Sequence, residues 1–151
     1  MENSKEQIDS GKRSQATKSF GKMLFIIDTY AWVEYFIGSQ LGRKMKELFN
    51  NPKNKFVTVE CCLAELKSWT IRNHIDFKEI MNIVEANSKI LPVSRNNWIE
   101  GAEIKSRRMK RIRDFGLIDS LLIVKQKEVG GKIVTADRHF KGVRGVEFLR
   151  K

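Results

Sequence analysis

The chain is poor in the residues that build zinc sites and disulfide frameworks: its 151 residues include two cysteines and two histidines. The cysteines, Cys61 and Cys62, are adjacent, which sets their α-carbons about 3.8 Å apart, less than the usual disulfide span. They read as reduced core residues, and His74 and His139 alone do not complete a zinc-ligand set. No GxGxxG or phosphate-loop motif occurs, and Gly130-Gly131-Lys132 lacks the spacing of one, so nucleotide binding has no local support. Internal repeats are missing too. No apolar run approaches the roughly 18 residues that span a bilayer. The first 22 residues hold only scattered apolar positions and do not form a signal peptide. No membrane-spanning segment is therefore expected, and the cytoplasm is the expected location.

What is present is positive charge and one core. The formal net charge of +11 favours polyanionic partners, nucleic acid first. With 41% hydrophobic residues the chain is long enough for one domain with its own core. Residues 1–22, rich in Lys, Ser, Gln and Glu without an apolar period, read as a flexible basic tail; residues 23–151 form the domain. The pattern predicts strands at Leu24–Ile27, Phe56–Thr58, Lys89–Pro92, Lys132–Thr135 and Val146–Leu149. Helices are expected around Tyr30–Ile37, Gly42–Asn50, Glu60–Arg72, Phe77–Ala86 and Leu117–Glu128, with a long one from about Asn96 to Arg113. Short strands alternating with helices imply parallel pairing and an α/β sheet covered on both faces.

Four acids fall where apolar segments meet polar turns or helix starts. Asp28 closes Met23-Leu24-Phe25-Ile26-Ile27, and Asp137 closes Lys132-Ile133-Val134-Thr135-Ala136. Carboxyl ends of parallel strands border the usual ligand crevice, so two acids there can face one pocket. Each could equally serve as a helix cap. Glu65 borders the apolar stripe Val59, Cys62, Leu63, Leu66 and Trp69 of a helix. Asp119 sits among Leu117, Ile118, Leu121 and Leu122, where a carboxylate is costly to bury unless it is paired or binds a metal. Lys105, Arg107, Arg108, Lys110, Arg111 and Arg113 place six cations within nine residues. On a helix, Ile99, Ala102, Met109 and Ile112 would face the core while the cations contact an RNA backbone or merely cover surface with their stems.

The order of these elements and acids resembles the PIN-domain family of metal-dependent ribonucleases. The likeness rests on Phe25-Ile26-Ile27-Asp28-Thr29, Ala64-Glu65-Leu66, Leu117-Ile118-Asp119-Ser120-Leu121-Leu122-Ile123 and Val134-Thr135-Ala136-Asp137. It implies a three-layer α/β sandwich around a five-stranded parallel sheet. It assigns Asp28, Glu65, Asp119 and Asp137 as catalytic metal ligands, with Thr135 a supporting hydroxyl. Oxygen ligands without thiolate or imidazole select Mg²⁺ or Mn²⁺, and the implied reaction is endoribonucleolytic hydrolysis of RNA. Small members are VapC-like toxins of toxin–antitoxin pairs, so a cognate antitoxin and a homodimer are the expected partners besides RNA. Two features depart from the family pattern: the N-terminal tail, and Lys125-Gln126-Lys127-Glu128, more polar than the small residues expected after the helical acid. The competing reading is a non-catalytic RNA-binding module in which the acids are caps and surface charges.

Overall fold

A computed structural model of the chain describes residues 22–150. The expected tail lies outside the described residues except for Lys22. Strand β1 (Met23–Ile27) leads into helices α1 (Thr29–Phe36) and α2 (Gln40–Asn50), then β2 (Asn54–Val59), α3 (Cys61–Arg72), α4 (Phe77–Asn87) and β3 (Lys89–Leu91). Helices α5 (Arg95–Arg108) and α6 (Leu117–Val129) follow, then β4 (Lys132–Thr135), a single 3-10 turn at Arg138–Phe140, and β5 (Val146–Phe148). The strands form one sheet in the order β3-β2-β1-β4-β5, and every neighbouring pair is parallel.

The alternation along β1 divides the core in two. Phe25 and Ile27 face a cluster with Ala31 and Trp32 of α1, Met45 of α2, Leu66 of α3 and Ile80 and Val84 of α4. Ile26 faces the other way, toward Ile104 of α5, Phe115, and Leu121 and Leu122 of α6. Burial on both faces explains why β1 and β4 read as continuous apolar runs rather than alternating ones. Three layers result, as the resemblance implied.

Local chemistry sets the element ends. Ser39 caps α2, its Oγ accepting from the Gly42 amide at 3.0 Å, and Ser94 and Asn97 close a capping box on α5. Helix α6 stops at Gly130, whose φ of 67° is left-handed, a conformation that glycine adopts without a Cβ clash. That stop turns the chain directly into β4.

The long helix expected to Arg113 ends at Arg108 instead, and residues 109–111 form a turn. The face predicted to be buried is also wrong, since Ile99 is 57% and Met109 44% exposed. Ala102 is exposed as well, and only Ile112, beyond the helix, packs partly against the core. The face that docks is Asn97, Gly101 and Ile104. A Cβ on Gly101 would lie 3.1 Å from Leu121 Cδ2, so a small residue is what lets α5 approach α6. Asn97 accepts from Lys125 Nζ at 3.3 Å and donates to Glu128. An apolar-stripe reading passes over a docking face built from Asn and Gly.

Candidate functional site

Register places the strand-end acids together. Ile27 of β1 pairs with Val134 of β4, and the Asp28 amide continues the ladder by donating to the Val134 carbonyl at 3.0 Å. Asp28 and Thr135 therefore emerge side by side at the carboxyl edge of the sheet. Thr135 Oγ1 donates to Asp28 Oδ2 at 2.7 Å and accepts from the Asp137 amide at 2.9 Å. One hydroxyl thus fixes both acids. Asp28 occupies the N-cap position of α1, yet its carboxylate caps no helix amide. Asp137 does cap, its Oδ1 accepting from the His139 amide at 2.9 Å.

The other two acids come from helices flanking this edge. In the first turn of α6, Asp119 Oδ2 accepts from the Gly116 amide at 3.1 Å. Glu65, on α3, stands at the rim and accepts from Thr29 Oγ1 at 2.8 Å. Burial, opposed by the Thr135 hydrogen bond and reinforced by Asp119, Glu65 and Asp137, raises the Asp28 carboxyl from its ordinary 3.8 to about 7. Burial also raises Glu65, against its bond from Thr29 and with help from Asp119 and Asp137. Asp119 is raised by burial too, and the Gly116 amide works against that shift. Asp28 is raised in part by the other three acids, and Glu65 by Asp119 and Asp137, so the fold brings the four sequence-predicted acids near one another. Thr135 lies among them, hydrogen-bonded to Asp28 and to the Asp137 amide.

His139, set aside at the sequence level, belongs to the same cleft. Its Nδ1 lies 3.4 Å from Asp137 Oδ2 and 3.7 Å from Asp119 Oδ2. Ligating atoms of Asp119, Asp137 and His139 all lie within 4.8 Å of one another, whereas Asp28 and Glu65 do not join that tight set. The donor set is therefore not purely oxygen. Its signal was the Asp137-x-His139 spacing beside a candidate ligand. Among the described residues no Lys or Arg forms an ion pair with any of the four acids, a charge set that a divalent cation would balance. The residues fit such an ion.

The basic run is divided by the end of α5. Arg107 and Arg108 lie in the last helical turn and Lys110 and Arg111 in the turn beyond, and these four line a concavity of about 950 Å³. Lys105 and Arg113 do not line it, and neither does any of the four acids. Size alone would place a functional site there. Converging buried carboxylates with raised pKa values are the stronger indication of chemistry, so the acidic cleft is the candidate catalytic site.

The PIN domain family model matches residues 25–146. The chain belongs to the PIN domain family. No curated protein sequence matches it, but solved structures do. VapC20 of Mycobacterium tuberculosis, a sarcin–ricin-loop-cleaving toxin, is 16% identical with a TM-score of 0.68, over 83% of this chain and 99% of that one. A toxin–antitoxin complex from Klebsiella pneumoniae is 14% identical with a TM-score of 0.63, over 83% of this chain and 98% of the other. DNA-bound VapBC from Salmonella typhimurium is 17% identical with a TM-score of 0.59, over 83% and 96% of the two chains. At these identities the likeness shows the fold, and the PIN domain's site must be argued from its own residues.

Proposed function

We propose that this PIN domain is a divalent-metal-dependent endoribonuclease acting as the toxin of a toxin–antitoxin pair. The observation that carries the reading is Asp28: a buried carboxylate that caps nothing, surrounded by three further acids, with no Lys or Arg paired to any of them among the described residues. A purely structural cluster of this kind would be relieved by amides or a lysine; a metal site keeps its charges for the ion. Asp28, Glu65, Asp119 and Asp137 are the assigned Mg²⁺ or Mn²⁺ ligands, with His139 as an added donor. When bound, the ion lowers the pKa of a coordinated water and offsets charge developing on the phosphate. Thr135 holds Asp28 and the Asp137 backbone in place, and Thr29 steadies Glu65. The run Lys105, Arg107, Arg108, Lys110, Arg111 and Arg113 offers cations to the RNA backbone.

The toxin role draws on the VapBC likeness, which also supports a cognate antitoxin; the homodimer is carried over as part of the same reading. No helix among the described residues is long and apolar enough to cross a membrane, which accords with a cytoplasmic setting. Purified protein freed of any antitoxin is expected to cut labelled RNA with Mg²⁺ or Mn²⁺ and to stop in EDTA. Asp119→Asn is expected to lose cleavage by orders of magnitude while still binding RNA. If the Asn variant cuts as well as wild type, or if neither metal supports cleavage, the non-catalytic RNA-binding module takes the place of the enzyme.

A further inference from the structure

We propose that the concavity between the α5–α6 turn and the β4–β5 loop is a second RNA-backbone site, separate from the acidic cleft, that grips the substrate strand a few nucleotides from the bond to be cut. Of its fifteen lining residues seven are Lys or Arg and none is Asp or Glu. Arg107, Arg108, Lys110 and Arg111 supply one wall, and Lys141 and Arg144 of the β4–β5 loop supply the other. The seventh cation, Lys127, is 3.7 Å from Glu100; the other six form no ion pair among the described residues. Like charges this dense repel one another, and a polyanion relieves that repulsion.

Two details show a built site rather than a crowded surface. Arg108 lies over the Phe115 ring at 5.0 Å, and its Nε is the one buried side-chain nitrogen or oxygen among the described residues without a hydrogen-bond partner. A buried orphan donor is costly unless an acceptor arrives. Gln126 meanwhile shapes the opposite wall. Its Nε2 donates to the Arg144 carbonyl at 2.9 Å and the Gly145 carbonyl at 2.7 Å, pinning the loop that carries Lys141 and Arg144. The polar segment that departs from the family pattern thus has two jobs here: Lys125 and Glu128 tie α6 to Asn97, and Gln126 clamps the loop.

The lining chemistry selects among polyanions. Every polar side chain around the concavity except Gln126 is a donor only. RNA phosphates are acceptors only and suit it, whereas the backbone N–H groups of an acidic peptide would find few acceptors. Asp119 and Lys127 sit eight residues apart on α6, roughly 12 Å along the axis, so one strand can reach both the groove and the acids.

The purpose assigned to the bound strand rests on the ribonuclease reading; the binding does not, so the test is made without catalysis. Binding of a labelled single-stranded RNA is measured in EDTA across a salt series for wild type and for Lys141→Ala/Arg144→Ala, with circular dichroism confirming the fold. The variant is expected to bind more weakly on every sequence, its log–log salt slope falling by about 0.7 per lost contact. The reversal Lys141→Glu/Arg144→Glu should weaken binding further. Unchanged affinity and slope would overturn the groove, as would polyglutamate displacing the RNA at equal charge, which would make it a protein-docking surface. Groove binding by a protein that cuts no RNA with either metal would overturn the ribonuclease reading alone. Cleavage by wild type beside unaltered binding by the variants would overturn the groove alone.

Discussion

Asp28 is the one fully buried carboxyl group among the described residues, and that setting makes it testable. Its carboxyl is raised from 3.8 to about 7, chiefly by burial, so the folded chain holds a proton that the unfolded chain has released. For an acid shifted upward, stability present at low pH is lost as pH climbs from the unfolded value through the folded one. In EDTA the melting temperature of wild type is therefore expected to fall between pH 4 and pH 8, and Asp28→Asn should remove much of that fall and melt higher at pH 8. Thermal scans of the two proteins across this range check it, and parallel curves would contradict it. Thr135→Val should leave Asp28 Oδ2 and the Asp137 amide short of a partner, costing about 1–3 kcal/mol, and should slow cleavage roughly 10–100-fold, with Thr135→Ser restoring both. The acids were visible in the sequence because each interrupts an apolar run. His139 was not, because it lies in a polar turn and joins the site only when Asp137 folds back toward Asp119.

At the scale of elements, close approach decides more than hydrophobic pattern does. A Cβ on Gly42 would lie 2.1 Å from the Glu34 carbonyl oxygen, and this bare contact lets α2 cross α1. The crossing allows Phe49 to stack on the fully buried Trp32 at 5.5 Å, while Trp32 Nε1 donates to Thr58 Oγ1 at 3.0 Å. Gly42→Ala, ordinarily favourable within a helix, is expected to destabilise the protein by about 1–3 kcal/mol through forced separation; a denaturant melt without loss of midpoint would refute this. The same principle accounts for the misread face of α5. Asn97 and Gly101 carry no apolar signal, so the stripe through Ile99, Ala102 and Met109 looked like the core side while it faces outward.

At the scale of the whole molecule, charge separates the two candidate functional regions. The acids gather at the carboxyl edge of the sheet, and six cations that form no ion pair among the described residues line the concavity beside α6. Addition of Mg²⁺ or Mn²⁺ to metal-free protein is expected to raise the melting temperature by binding the native state, and Asp119→Asn/Asp137→Asn should abolish that rise. Calorimetric scans with and without the ion decide it. Among the described residues the sheet and both core clusters are built from Met23 onward. Removing residues 1–21 is therefore expected to leave a single cooperative unfolding transition, and a loss of cooperativity would show that the segment contributes to the fold.

By itself the sequence determined the parallel α/β class and the number of strands along the chain, and it marked four acids as candidates, because each of these is written locally. Buried strands demand continuous apolar runs, helices demand apolar periodicity, and a carboxylate beside such runs stands out whatever the tertiary arrangement. The fold decided what depends on which surfaces meet. Parallel register set Asp28 beside Thr135, Asp137 turned His139 toward Asp119, and the docking of α5 on α6 through Gly101 divided the basic run. Gln126 brought the β4–β5 loop opposite that run. These relations join residues distant along the chain, and pair distances between them follow only from packing.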